Sequence, residues 1–182
     1  MRIVVGVTGA SGAQYALALL RNLKGHDVDL VISEDAKKVI AHEMDVPAKA
    51  FAKLAAHTYG NDDTTAPPSS GSYRFDAMVV VPCSMGTLGK VAWGISDNLI
   101  TRAAAVCLKE RRKLILVPRE TPLAATHLEN MLKLSNQGVV ILPAMPGFYH
   151  GPKSADDLVN FVVGKVLDQL GIEHRLFRRW RE

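Results

Sequence analysis

Cysteine is scarce in this chain. Cys83 and Cys107 are the two present among 182 residues, too few for a disulfide framework and without the spacing of a metal site. That usage points to a reducing, cytoplasmic setting. No apolar run approaches the length needed to cross a membrane. The first short run follows Arg2, breaks at Gly6 and Gly9, and lacks a signal-peptide cleavage pattern. Aromatic residues are also few, at 6%, and they do not interleave with the basic ones. The basic residues gather in two runs, Lys109 to Lys113 and Arg175 to Arg181, behind a modest net charge of +4. Without stacking positions or a recognition-helix pattern, these runs do not describe a nucleic-acid surface. His57, His127 and His150 are scattered, and Asp62-Asp63 has no second acidic cluster, so no metal site is expected.

What is present reads as one globular domain over 1–182, with a basic tail from 171 to 182. The chain is long enough to bury a real core. Its 48% hydrophobic and 22% charged content is compatible with covering surface by self-association. The opening stretch, MRIVVGVTGASGAQYALALLRNL, organises the rest. Ile3, Val4, Val5 and Val7 predict a buried strand, Gly9 to Gly12 a tight turn, and Tyr15, Leu19, Leu20 and Leu23 a helix face. Backbone N–H groups at such a turn point where an anion would sit, and Ser11 adds a hydroxyl. The spacing is G-x-x-G-x-x-G rather than the dinucleotide G-x-G-x-x-G. It therefore favours phosphate or flavin over NAD, beside the plainer reading of a turn that merely needs glycine.

Further strands are expected at 28–32, 76–81, 114–117 and 139–142. Helices are expected at about 36–43, from Pro47 to about 56, at 98–109, from Pro122 to about 134, and from Ser154 to 170. Thr121 is placed to cap the helix that Pro122 opens, and Ser154 begins a capping box with Asp157. Residues 57–74 are polar, with a double proline, and read as one long loop. Strands alternating with helices predict an α/β, single-domain, Rossmann-like (flavodoxin-like) open parallel sheet with helices on both faces.

In such a sheet ligands bind beyond the carboxyl ends of the strands. The residues there are Gly9-Ala10-Ser11, Ser33, Cys83-Ser84-Met85-Gly86-Thr87, Arg119-Glu120 and Phe148-Tyr149-His150. Together they describe a pocket for anionic groups, built from hydroxyls and loop amides. Ser33 can equally cap the following helix. Arg119 can grip a phosphate and Glu120 can carry a proton in a desolvated cleft; the alternative is a helix-start carboxylate beside a surface arginine. With no metal, Arg102, Lys109, Arg119 and Lys165 would have to supply the neutralising charge. Cys83 has no base beside it in sequence and reads as packing.

The stretches TGASGAQYALALL at 8–20, PCSMGTLGKVAWG at 82–94, SDNLITRAAAVCLKERRKLILVPRETPL at 96–123, HLENMLKLSNQG at 127–138 and ILPAMPGFYH at 141–150 resemble the flavin prenyltransferase family of UbiX and Pad type. The resemblance runs over essentially the whole chain. It implies an enzyme that joins reduced FMN to dimethylallyl monophosphate without metal, bonding the prenyl C1′ to N5 and C3′ to C6. The prenylated FMN would then pass to a partner decarboxylase of the UbiD type. By the same resemblance, Gly9, Ala10, Ser11, Ser33, Ser84, Met85, Gly86, Thr87 and Arg119 hold FMN. Glu43, Arg102, Lys109, Arg119, Tyr149 and Lys165 surround the prenyl phosphate. Glu120 is the proton-transfer carboxylate, helped by Ser11 and Ser84, and a dodecamer is the implied assembly.

Two departures bear on the prenyl side. Many members carry arginine where this chain has Lys165, which keeps the charge but loses the bidentate fork. Some have tryptophan just before the Ala66-Pro67-Pro68 stretch, where Thr64-Thr65 stand here. The related flavin-dependent cysteine decarboxylases usually show Pro-Ala-Ser-Ala-Asn-Thr where this chain has Pro-Cys-Ser-Met-Gly-Thr. They also use a histidine after the first glycine turn, where Gln14 and Tyr15 stand. A flavin carrier without catalysis would not need the Arg119-Glu120 pair.

Overall fold

The computed structural model describes residues 1–181; the last residue of the basic tail, Glu182, lies outside the described residues. Six strands form one sheet: β1 (Arg2–Val7), β2 (Asp27–Ile32), β3 (His57–Gly60), β4 (Ala77–Cys83), β5 (Lys113–Pro118) and β6 (Val140–Ile141). Their order is β3-β2-β1-β4-β5-β6, and every pairing is parallel. Among the described residues the α-helices are α1 (Ala13–Asn22), α2 (Glu34–Glu43), α3 (Lys49–Ala52), α4 (Met85–Ala92), α5 (Leu99–Glu110), α6 (Ala125–Ser135) and α7 (Ala155–Leu170), with one 3-10 turn at Pro67–Ser69. The expected α/β sheet is thus present, and each face buries its own core. Val5, Val7, Leu30 and Val79 pack with α1, α2 and α7 on one side; Val4, Val31, Met78 and Val80 pack with α4, α5 and Leu134 of α6 on the other. Alternate residues of one strand face opposite layers, so the central parts of β1, β2 and β4 are apolar on both faces, with Asp29 of β2 the buried exception among them.

Several expectations need correction. The stretch 57–74 is not all loop, because His57–Gly60 pairs with β2 as the sheet edge. It escapes an apolar-run reading because its residues are mostly exposed, as edge strands often are. The helix after Pro47 closes at Ala52. Pro122 does not open α6 either: the helix starts at Ala125, where the Ala124 N–H donates to His127 Nδ1. The cap at Ser154 forms as expected, its hydroxyl accepting from the Asp157 N–H.

The remaining loop is held firmly. The Tyr73 hydroxyl donates to Asp29 Oδ2 at 2.9 Å, and Arg112 donates to the Tyr73 and Gly71 carbonyls while its guanidinium lies 4.4 Å over the Phe75 ring. Asp29 is fully buried, and that burial raises its pKa against the lowering effect of the Tyr73 hydrogen bond. The other end of the loop reaches the sheet's carboxyl edge through Asn61.

Candidate active site

Strand order reverses between β1 and β4: the chain leaves β1 toward β2 and β3, then returns to lay β4 on the other side. Such a switch point opens a crevice at the carboxyl ends. Thr8 rivets its two walls. Its hydroxyl, buried with the residue 3% exposed, donates to the Pro82 carbonyl at 2.8 Å and accepts from the Ser84 N–H at 2.7 Å. Sequence reasoning passed over Thr8. The available signal was a β-branched hydroxyl ending a run of valines, just ahead of the glycine turn.

A cavity of about 240 Å³ lies in this crevice. Gly9, Ser33, Ser84, Gly86 and Thr87 line it, all expected from sequence. Asp35, Asn61, Lys90, Asn98 and Ile100 line it too, and these were not foreseen, because they come from helices and a loop rather than from strand ends. Each hydroxyl has a local duty. Ser33 caps α2 by accepting from the Ala36 N–H; Ser84 caps α4 by accepting from the Thr87 N–H, and donates to Thr87 Oγ1 at 3.0 Å. Asn61 adds a second cap to α5, its side-chain oxygen accepting from the Ile100 N–H and its carbonyl from the Leu99 N–H. A Cβ on Gly9 would come within 2.6 Å of the Asp35 Cβ, whereas one on Gly86 would meet nothing within 4 Å. Glycine 9 therefore serves backbone packing, and glycine 86 leaves room open to the cavity.

A second cluster gathers at the first turn. Gly12 has a φ of 107°, and a Cβ there would strike the Tyr15 ring at 2.8 Å. Its N–H donates to Glu43 Oε2 at 2.9 Å, and Arg119 Nε donates to the Ser11 carbonyl at 3.2 Å. Burial pushes Glu43 upward, but the Gly12 N–H, the Ser11 hydroxyl, the Ala13 N–H and the charge of Arg119 hold it below the ordinary carboxylate value. Burial raises the Tyr15 hydroxyl, opposed by Arg119. Ser11, Glu43 and Arg119 thus meet beside the cavity rather than within its lining, and Ala10, just before Ser11 in the chain, lies outside that lining too. Glu120 follows Arg119 at the end of β5, exposed, with Oε1 accepting from the Thr121 N–H.

The other expected residues are more dispersed. Met85, the first residue of α4, is buried in the core. Arg102 is exposed in the first turn of α5, while Lys109, about 16 Å along the helix from Asn98, pairs with Glu110 at 2.8 Å. Within one chain Lys109 does not reach the cavity. Tyr149 packs edge-on to Phe161 and Trp180, and Lys165 pairs with Asp168 at 3.4 Å. Asp168 also takes Arg179 and His174, which straps the basic tail onto α7. Arg179 joins Tyr149 in lining a second cavity of about 230 Å³. A wider cleft of about 610 Å³ lies at the opposite end of the sheet, but Arg112 and Lys113 there are engaged with backbone carbonyls. Among the described residues no group of three or more His, Cys, Asp or Glu is placed to hold a metal ion, and no helix is long and apolar enough to cross a membrane.

Known proteins resemble this chain over its whole length. The Flavoprotein family matches residues 1–167. The flavin prenyltransferase UbiX of Thermoplasma acidophilum is 59% identical over 180 residues, covering 99% of this chain and all of that protein. A dodecameric FMN-dependent UbiX-like decarboxylase from Escherichia coli O157:H7 superposes with a TM-score of 0.98 at 49% identity, with full coverage of both chains. AnUbiX (PadA1), solved in complex with FMN and dimethylallyl pyrophosphate, superposes at 0.97 and 44% identity, covering 100% of this chain and 97% of that one. With a glycine-and-hydroxyl cradle at the switch point and relatives that match it end to end, this chain belongs to the Flavoprotein family and, within it, to the flavin prenyltransferases.

Proposed function

We propose that the chain transfers the dimethylallyl group of dimethylallyl monophosphate to reduced FMN, and that the switch-point cavity takes the phosphate end of the flavin. The observation that carries this reading is the lining itself: Ser33, Ser84 and Thr87 hydroxyls, the open space at Gly86, and two helix starts converge on one small cavity. Hydroxyls and first-turn amides are the donors a phosphate needs. At about 240 Å³ the cavity falls below the usual range of roughly 300–1,000 Å³ for a whole ligand. It suits one end of FMN, with the ring system extending toward Ser11, Arg119 and Glu43.

In the reaction the prenyl C1′–oxygen bond breaks, C1′ bonds to N5 and C3′ bonds to C6. Phosphate leaves, and protons are lost from N5 and C6 while one is gained at C2′. Glu120, at the end of β5, takes the proton from C6 and returns one to the departing phosphate. Arg119, fixed through Nε on the Ser11 carbonyl, keeps its remaining donors for the ligand side. Ser11 and Ser84 act as hydrogen-bonding groups that orient the flavin. Tyr149 and Lys165 receive the prenyl phosphate on the α7 side. Arg102, exposed on α5, and Lys109, remote from its own cavity, serve the site of a neighbouring copy, in keeping with the dodecamer of the E. coli relative. The product passes to a UbiD-type decarboxylase, and the two buried, unpaired cysteines fit a cytoplasmic enzyme.

The test is anaerobic incubation with reduced FMN and dimethylallyl monophosphate under chelation, then mass spectrometry of the extracted flavin. A gain of about 68 Da with release of phosphate is expected; flavin recovered unmodified with both the monophosphate and the pyrophosphate donor would refute the transfer. Glu120→Gln is expected to keep bound FMN and lose turnover at least about 100-fold. Normal turnover in that variant would remove Glu120 from proton transfer.

A further inference from the structure

The cavity lining contains one positive side chain among the described residues, and it is not one expected from strand ends. Lys90 belongs to the last turn of α4, four residues beyond Gly86 and three beyond Thr87, so all three lie on one helix face. Gly86 contributes no side chain to that face, and a Cβ there would meet nothing within 4 Å. The space between the Ser84–Thr87 cap and the Lys90 ammonium is therefore open. In the free protein Lys90 Nζ rests 2.6 Å from Asp97 Oδ2. Both groups are partly solvated, at 41% and 49% exposure, so this is a weak tether that a stronger anion displaces. Asp97 is independently held: its Oδ1 accepts from the Asn98 amide, and the Thr101 hydroxyl lies 3.5 Å away. The carboxylate stays in place when the lysine leaves.

The other charged group in the lining is Asp35, whose Oδ1 accepts from Lys38 at 2.9 Å. A dianionic phosphate entering this cavity would meet hydroxyls, amides and one carboxylate. Neutral donors alone leave that charge uncompensated, and Lys90 is the group within the lining that can balance it. We propose that Lys90 is the specificity-determining cation for the flavin phosphate, exchanging Asp97 for the phosphate on binding and so distinguishing FMN from riboflavin. This inference rests on the flavin reading of the cavity and deepens it.

The experiment measures dissociation constants of oxidised FMN and riboflavin by flavin fluorescence quenching, for the wild-type protein and for Lys90→Gln, Lys90→Arg and Asp97→Asn. In Lys90→Gln, FMN affinity is expected to fall about tenfold with riboflavin unchanged, so the FMN-to-riboflavin preference shrinks by that factor. Lys90→Arg should restore most of the preference. Asp97→Asn, which keeps the local hydrogen bonds but frees the ammonium, should tighten FMN alone. The preference for FMN in wild type should also fall with added salt more steeply than in Lys90→Gln. An unchanged preference in Lys90→Gln, or an equal weakening of both flavins, would overturn the assignment. A wild-type protein that holds neither flavin would instead overturn the cavity's flavin reading, and this inference with it.

Discussion

Replacing Thr8 by valine should separate the two walls of the crevice while leaving the core volume intact. Valine has the same shape and keeps the β-branch that suits the strand end. What disappears is one hydroxyl with two partners, the Pro82 carbonyl and the Ser84 N–H. The Pro82 carbonyl retains the Thr8 N–H at 3.2 Å, so its loss is partial. The Ser84 N–H has no other hydrogen-bond acceptor among the described residues, and leaving this part-buried donor unsatisfied approaches the cost of about 1–3 kcal/mol for a buried one. With the net loss of the second hydrogen bond, about 2–3 kcal/mol is expected, which for a chain of this length lowers the melting temperature by about 4–12 °C. Ser84 also caps α4 at the cavity, so FMN affinity should fall as well. The assay is thermal unfolding followed by circular dichroism at equal protomer concentration, with FMN titrations alongside. Thr8→Ser is the control: it keeps the hydroxyl and should lose less than about 1.5 kcal/mol. A Thr8→Val protein melting within about 1 °C of wild type, or a Thr8→Ser protein falling equally far, would refute the bridging role.

Two further outcomes follow from the first turn. Gly12→Ala places a Cβ on a φ of 107° and against the Tyr15 ring; a loss of about 1–3 kcal/mol is expected in urea unfolding, and a variant as stable as wild type would show that the turn has other conformations. Glu43 has a lowered pKa in the folded chain, with 4.5 as its ordinary value. Its contribution to stability is therefore complete above 4.5 and is lost as pH falls through the lower folded value. Urea midpoints of wild type and Glu43→Gln should differ near neutrality, and the gap should close as pH falls from 4.5 through the lower folded value; a gap that stays constant across that range would exclude the charged interaction.

How far the site could be read in advance depended on how each residue reaches it. Gly9, Ser33, Ser84, Gly86 and Thr87 follow strands that are apolar runs, so finding β1, β2 and β4 located the residues after them. Asn61 follows β3, a strand concealed by its polar, exposed edge position, and it is fixed in the site by accepting from the Leu99 and Ile100 N–H groups of α5. Lys90 and Asn98 belong to helix ends whose placement depends on how α4 and α5 pack on the sheet, which no local pattern records. The opposite case is Lys109, which sequence placed with the prenyl phosphate and which α5 carries to the far end of its own chain. Arg102 and Lys109 lie on one helix about 10 Å apart, so a single neighbouring copy presenting that helix could bring both toward one site. On the proposed reading, the cavity within the chain supplies mainly neutral donors for the flavin, and the charge needed to release a phosphate would come from elements outside it: Arg119 just after β5, Lys165 on α7, and the α5 cations of another copy. That division would make flavin retention a property of the single chain's crevice and prenyl-phosphate turnover a property of the assembly. Substitutions at Arg102 or Lys109 should consequently slow transfer without releasing FMN.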